Sequence, residues 1–261
     1  VSAFALEHIL ITGAAGAIGG ATARRMRELW PTARLALLDR PQETATVGTL
    51  ARELGNASVH GADLRAVERL DEVVEAIAKT APLDGLVNCA GIMRVQGVSS
   101  WQWDEARDLM AIDLLAPLRL QDLVVRGMVE RRHGAIINVA SMAGKVPLKG
   151  CSYYGASKAG LAMASEIARA DLAPHGVRVV TVYPGPVKSA LEQGARDAYS
   201  GNGLFKRYAP TGDPVELARR IVEAVIRDEP RVIYPRLYGV GWSANNLSRW
   251  VALSYGPPPV T

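Results

Sequence analysis

Cysteine is scarce in this chain. Only Cys89 and Cys151 occur in 261 residues, which gives neither a ligand-spaced metal motif nor a framework of paired thiols. The expectation is a reducing, cytoplasmic setting. Runs of like charge are absent. Of the 30 basic residues 24 are arginine, scattered except for the pairs Arg24-Arg25, Arg131-Arg132 and Arg219-Arg220. That pattern describes a solvated surface rather than a nucleic-acid face, despite a pI near 9.2. No uninterrupted apolar run approaches the length of an integral membrane segment. The first twelve residues show no basic stretch ahead of a long apolar one and read as the lead-in to a strand. The four histidines, His8, His60, His133 and His175, share no spacing, so no metal is expected. Internal repeats and low-complexity tracts are lacking.

What is present is an alternation. Short apolar runs at His8–Ile11, Leu35–Leu38, Val59–Ala62, Leu83–Asn88, Ala135–Val139 and Val177–Val182 read as strands. Between them lie helical stretches at Ile18–Leu29, Ala45–Leu54, Val67–Ala78, Trp103–Met128 and Tyr154–Leu172, the third with Leu70, Val73, Val74 and Ile77 at spacings of three and four. Continuous apolar strands separated by helices predict an α/β fold: one doubly wound Rossmann-type domain over 1–261, with a parallel sheet of six to seven strands and helices on both faces. Residues 184–213 are rich in glycine and tyrosine and follow the sixth strand, where such sheets bind ligands. They are expected to form a substrate lid. The tail, about 236–261, carries Trp242, Trp250 and Tyr255. Its expected roles, in order, are covering a neighbouring subunit's pocket, packing on its own lid, and touching a membrane surface.

Two regions carry chemistry. Strand one runs into Thr12-Gly13-Ala-Ala-Gly16-Ala17-Ile18-Gly19. Glycines there let a backbone approach a pyrophosphate, and the helix that follows aims free N–H groups at the anion. Asp39, twenty residues after Gly19, ends strand two, where a carboxylate accepts hydrogen bonds from ribose hydroxyls and repels a 2′-phosphate. Arg40 beside it could hold that phosphate instead. The balance favours NAD, with NADP as the alternative. Asp63, with Leu64, closes strand three near an adenine edge, and Asn88-Cys89-Ala90-Gly91 closes strand four with small residues that leave room for a ribose. The second region is Ser141, then Tyr154 and Lys158. Spacing of i and i+4 puts the phenol and the ammonium on one helix face. Tyr153 lacks such a partner, since its i+4 residue is Ser157.

Assembled, these residues resemble the short-chain dehydrogenase/reductase family over about residues 8–190. The resemblance rests on the glycine turn, Asp63, Asn88-Cys89-Ala90-Gly91, the Ser141, Tyr154 and Lys158 set, and Tyr183-Pro184-Gly185 after strand six. It implies that Pro184, Gly185, Val187 and Ser189 border the nicotinamide and that Lys158 also binds its ribose. Three departures stand out. Cys89 replaces a usual asparagine. Ser189 replaces a threonine but keeps the hydroxyl. Asp113 replaces an asparagine whose backbone carbonyl helps hold a water of the proton relay, so its side chain becomes acceptor-only and able to carry charge.

The expected chemistry is hydride transfer between NAD(P) and a secondary alcohol or ketone. A free phenol titrates at about 10, too high for an efficient base near neutrality, and Lys158 is expected to favour the phenolate. Ser141 would orient the reacting oxygen, and Asp113 is the fourth candidate catalytic residue. Met93, Val95, residues 143–148, Pro186 and the lid give mostly apolar pocket walls, so the expected substrate is hydrophobic. Arg94 and Lys145 are the candidate cations should it be acidic. Apolar residues on more than one side of the long helices predict a homodimer or homotetramer. Two other readings stay open: a dinucleotide-binding regulatory protein with weak catalysis, and a lyase or epimerase on the same scaffold.

Overall fold

The computed structural model describes residues 4–199, 210–243 and 245–255. Seven parallel strands form one sheet in the order β3-β2-β1-β4-β5-β6-β7. They are β1 (His8–Thr12), β2 (Arg34–Asp39), β3 (Ala57–Gly61), β4 (Gly85–Asn88), β5 (Gly134–Val139), β6 (Val177–Pro184) and β7 (Arg231–Tyr234). The inner strands β1 and β5 are buried at every position, as a sheet covered on both faces requires. Successive side chains alternate between two cores. Ile9, Ile11, Leu35 and Leu37 face one, and Leu10, Ala36, Leu38 and Leu86 face the other.

The first core is closed by α1 (Ala17–Leu29), α2 (Thr44–Leu54) and α8 (Pro214–Arg227), through Met26, Val47, Leu50, Leu217 and Ile221. The second is closed by α3 (Leu70–Ala78) and α5 (Ala116–Arg131), through Val74, Ile77, Leu120 and Val124. The start of α8 is set by Asp213, whose carboxylate accepts the amides of Val215 and Glu216 at 2.9 and 3.1 Å ahead of Pro214.

The predicted helix Trp103–Met128 is not continuous. It divides into α4 (Trp103–Met110), a π-helical turn (Ala111–Leu115) and α5. No sequence periodicity marks this insertion, because a π turn changes the hydrogen-bond register without removing apolar residues. The predicted helix at Val67 begins as a 3₁₀ turn and becomes α3 at Leu70. Strand β7, absent from the six runs read as strands, pairs Val232 with Val182 at the sheet edge; its four residues are too few to stand out in sequence.

The order of strands reverses between β1 and β4. The crevice at their carboxyl ends is the topological switch point at which open α/β sheets take their ligands. Helix α6 (Ser152–Leu172) delivers its first turns to the same end.

Candidate active site

The glycine turn is held to β4 by one hydroxyl. Thr12 Oγ accepts the amides of Cys89 and Ala90, each at 3.1 Å, and donates to the Val87 carbonyl at 3.3 Å. Thr12 thus joins the two strand ends that border the crevice. Gly13 has φ of +68°, and a Cβ there would lie 2.7 Å from the Ala90 nitrogen. A Cβ on Gly19 would lie 2.1 Å from the Gly13 carbonyl oxygen. Both glycines are required by the packing of the turn on α1 and β4. Ala17 and Ile18 form the first turn of α1, and Gly16 is its cap without a side-chain hydrogen bond, so the amides at that end are free to meet an anion.

Asp39 faces this turn. Its Oδ2 accepts the Ala15 amide at 2.9 Å and its Oδ1 the Arg40 amide at 2.8 Å. The Arg40 guanidinium turns instead to Glu43, at 2.7 Å. Asp63 is engaged by Arg65 at 2.6 Å, and Arg65 also reaches Asp108 at 3.2 Å. Leu64 lies in the second core and Val187 in the first, so only their backbones could border a ligand.

On the other side of the crevice, Ser141, Tyr154 and Lys158 come together, all buried. Ser141 ends the extended segment after β5. Its Oγ accepts the Ala143 amide at 3.1 Å, opening a short 3₁₀ turn, and it lies close enough to the Tyr154 phenol to favour its ionised form. Gly144 makes this approach feasible, since a Cβ would lie 2.8 Å from the Lys158 carbonyl carbon and the Ala159 nitrogen. The Lys158 Nζ lies 5.9 Å from the Tyr154 ring centre and donates to the Val139 carbonyl at 3.3 Å. Tyr153 turns away and packs edge-on against Trp101, 4.9 Å between centres.

The π turn contributes a residue of a different charge. Asp113 is fully buried, with Oδ1 accepting the Ile92 amide at 2.8 Å and Oδ2 lying 3.4 Å from Lys158 Nζ. Its approach to α6 uses Gly160, where a Cβ would lie 3.3 Å from Leu114. Burial pushes the Asp113 carboxyl up, against the pull of Lys158 and the Ile92 amide. Burial would pull Lys158 down, but the Asp113 and Tyr154 charges lift it above its ordinary value. The two directions are reconciled by an ion pair, since either charge alone in this interior would be the costlier state. Burial also pushes the Tyr154 phenol up; Lys158 and Ser141 oppose the rise, while Asp113 adds to it. The phenol is therefore an acid over a wider pH range than the expected lysine effect alone would give.

Residues 7–200 match the short chain dehydrogenase family. The chain belongs to the short-chain dehydrogenase/reductase family. Membership makes it an oxidoreductase that uses NAD(P). It is 31% identical over 225 residues to the 3-oxoacyl-(acyl-carrier-protein) reductase of Vibrio harveyi, covering 82% of this chain and 87% of that one. It is 34% identical to the D-threitol dehydrogenase of Mycolicibacterium smegmatis, covering 78% of each. Among solved structures, a short-chain dehydrogenase from Sphingobium yanoikuyae in complex with NADPH superposes with a TM-score of 0.78 at 25% identity, covering 96% of both chains.

The residues of this family member fit a dinucleotide on its own geometry. The glycine cradle would be filled by any Cβ, and the Asn88 Oδ1 is buried without a hydrogen-bond partner at the crevice strand. The Asn88 amide nitrogen, by contrast, is committed to structure, donating to Asn138 at 2.8 Å and to the Pro117 carbonyl at 3.2 Å. Asn138 continues to Ser165 at 3.1 Å, and Thr181 reaches Ser165 at 2.7 Å. Sequence reasoning missed this buried chain of polar groups, whose members sit on four separate elements with no common spacing. It also missed Gly144 and Gly160, whose value lies only in close packing.

The segment expected to form a lid, 184–213, is rooted by a bridge between Val187 and Gly212 and by α7 (Ala190–Asp197), capped by Ser189. Ser189 Oγ accepts the Glu192 amide at 3.1 Å and donates to Val187 at 3.0 Å. Pro184 ends β6, and the Gly185 amide donates to Tyr234 at 2.7 Å. Residues 200–209 of that expected lid lie outside the described residues. The described part of the tail packs on its own chain. Trp242 of α9 (Tyr238–Ser243) meets Tyr183 edge-on at 4.6 Å, with the Lys145 ammonium 4.4 Å from its ring. Arg249 of α10 (Asn245–Tyr255) donates to the Lys145 carbonyl at 3.3 Å. Among the described residues, no helix is long and apolar enough to cross a membrane.

Proposed function

We propose that the protein transfers a hydride between NAD, in preference to NADP, and a hydrophobic secondary alcohol or ketone. The observation that carries the proposal is the meeting of Tyr154, Ser141 and Lys158 at the switch-point crevice, beside the glycine turn. Gly13, Gly16 and Gly19 would admit the pyrophosphate, with Ala17 and Ile18 opening the helix that faces it. Asp39 would hold the adenosine ribose, with Arg40 and Asp63 at its margin. Asn88, Ala90, Gly91 and Lys158 would border the nicotinamide ribose, and Pro184, Gly185, Val187 and Ser189 the ring itself. When bound, the nicotinamide supplies or accepts the hydride.

Tyr154 moves the proton. Its phenol donates a proton to the carbonyl oxygen in reduction, and its phenolate takes the alcohol proton in oxidation. Ser141 hydrogen-bonds the same substrate oxygen and fixes its angle. Lys158 holds positive charge next to the phenol, which limits the cost of forming the phenolate.

An apolar wall supports the substrate class. Met93, Val95, Leu109, Ala143 and Cys151 pack with Tyr154, and Cys151 is closed off by the Tyr199 hydroxyl at 3.2 Å. The two cations that could have called for an acidic substrate are already engaged, Arg94 by Glu105 and Lys145 by Trp242. The relatives act, by their names, on a 3-oxoacyl group, a keto-gluconate and threitol, so interconversion of ketone and alcohol is the chemistry they share. Met163 and Ile167, one turn apart on α6, are 58% and 53% exposed; such a stripe suits subunit pairing in a homodimer or homotetramer.

A panel of ketones with NADH or NADPH, and of alcohols with the oxidised forms, tests the reading. Net cofactor turnover distinguishes an oxidoreductase from a sensor, a lyase or an epimerase. Tyr154→Phe is expected to lower kcat by about 10²–10⁴-fold while NADH binding, followed by its fluorescence, is retained. Undiminished turnover in that variant would remove Tyr154 from the proton path.

A further inference from the structure

Asp113 brings a second buried charge into a site that needs only one. The relevant groups are few. Tyr154 faces Lys158 from its own helix, Asp113 from the π turn, Ser141 from the segment after β5, and Cys151 from the loop before α6. Lys158 faces Asp113, Tyr154 and Cys89 at the end of β4. Burial pushes the Cys89 thiol up to about 12 and also raises Cys151, so both thiols are neutral around pH 7. Three groups therefore set the local charge: Asp113, Lys158 and Tyr154.

With Asp113 and Lys158 paired at 3.4 Å and the phenol protonated, their sum is zero. Ionising Tyr154 would leave one net negative charge in an interior where all three side chains are under a tenth exposed. An uncompensated buried charge is strongly disfavoured. Were residue 113 uncharged, the count would reverse: a protonated phenol would leave a lone buried ammonium, and the phenolate would neutralise it.

We propose that Asp113 is a positioning residue that holds the Tyr154 phenol in its protonated form until a positively charged, oxidised nicotinamide ring lies beside it. The proposal rests on the oxidoreductase reading above and adds a regulation of its acid–base group. With the reduced ring, which is uncharged, the site stays neutral with the phenol as acid, the form that ketone reduction needs. With the oxidised ring, neutrality is reached by the phenolate, the form that alcohol oxidation needs. The acid–base state of Tyr154 thereby follows the redox state of the bound dinucleotide. The geometry ties the carboxylate to that task. Its Oδ1 is fixed by the Ile92 amide, while Oδ2 has no hydrogen-bond partner and lies 3.4 Å from the Lys158 ammonium.

The test is a spectroscopic titration that needs no turnover. Phenolate absorbance is followed against pH, with Tyr154→Phe subtracted, for the wild-type protein alone, with NAD and with NADH. The expected result is a midpoint above the ordinary tyrosine value of about 10 in the protein alone and with NADH, and a fall of about 1–3 pH units with NAD. Asp113→Asn is expected to show a fall of similar size with no dinucleotide added. The acidic limb of alcohol oxidation, along which the rate falls about tenfold per pH unit below the midpoint, should move with it. Equal midpoints with NAD and NADH, or an Asp113→Asn midpoint equal to that of wild type, would overturn the proposal. The wild-type comparison decides the matter even if the variant does not fold. Failure of the protein to bind either dinucleotide would instead defeat the functional reading, while the Asp113→Asn titration without ligand would still decide the role of the carboxylate.

Discussion

Replacing Asp39 by alanine separates two tasks that its carboxylate performs. The first is structural. Oδ2 accepts the Ala15 amide inside the glycine turn and Oδ1 the Arg40 amide. Hydrogen bonds to a charged group contribute about 1.5–3 kcal/mol each; the Arg40 amide is exposed and regains water, so the structural loss is close to that of one bond. The second task is selection. Two like unit charges about 5 Å apart at an effective dielectric constant near 20 repel by about 3 kcal/mol. Asp39 is half-buried, and screening by solvent and salt leaves about half of that. A 2′-phosphate near this carboxylate is thus disfavoured by about 1.5–3 kcal/mol, roughly 10- to 100-fold in affinity. Asp39→Ala should therefore weaken NAD by the loss of ribose hydrogen bonds while NADP is weakened less or bound more tightly. The ratio of the two Kd values should move by at least about tenfold. Titration calorimetry with each dinucleotide measures that ratio, and a thermal melt of the protein alone measures the structural part. An unchanged ratio, whatever happens to the melt, would show that Asp39 does not select the cofactor.

Two further perturbations probe the supports of the site. In Gly19→Ala the new methyl would lie 2.1 Å from the Gly13 carbonyl oxygen, a backbone atom that cannot swing aside. Dinucleotide affinity should fall at least about tenfold with a lowered melting midpoint, and wild-type binding by this variant would mean that the turn is not the cradle. Trp242→Ala removes a half-buried ring held between Lys145 and Arg231, whose charged ends lie 4.4 and 5.1 Å from it. Full truncation of a core aromatic costs about 3–5 kcal/mol; for a half-buried ring about half of that is expected, a fall in Tm of several degrees at about 2–4 °C per kcal/mol. The substrate KM should also rise, because Lys145 lies in the loop that follows Ser141. A Tm equal to that of wild type would show that α9 does not brace this loop.

The alternating apolar runs and glycine punctuation were enough to specify a parallel sheet wrapped by helices, because burial of both sheet faces leaves a largely apolar signature in β1, β5 and β6. The phenol–ammonium pair was also legible, since i and i+4 on a helix are neighbours by local geometry alone. Asp39 could be placed near the glycine turn from its position at a strand end. The sequence contained no comparable signal for the broken helix at Ala111–Leu115, for the Asn88–Asn138–Ser165–Thr181 chain, or for the return of Trp242 onto Tyr183. Each depends on groups that are remote in the chain and meet only after the layers have packed.

Asp113 shows the division most plainly. Its identity as a carboxylate is a fact of the sequence, and so is its location in the long helical stretch. That it lies 3.4 Å from the Lys158 ammonium, fully out of water, was decided by the π turn, by Gly160 and by the packing of α6 against both. Short-range periodicity and spacing thus determined the fold class, the glycine turn and the Tyr154–Lys158 pair. Tertiary structure decided the charge balance around them, because the strength of an interaction between charges depends on distance and on the surrounding medium, and neither exists before the chain has folded.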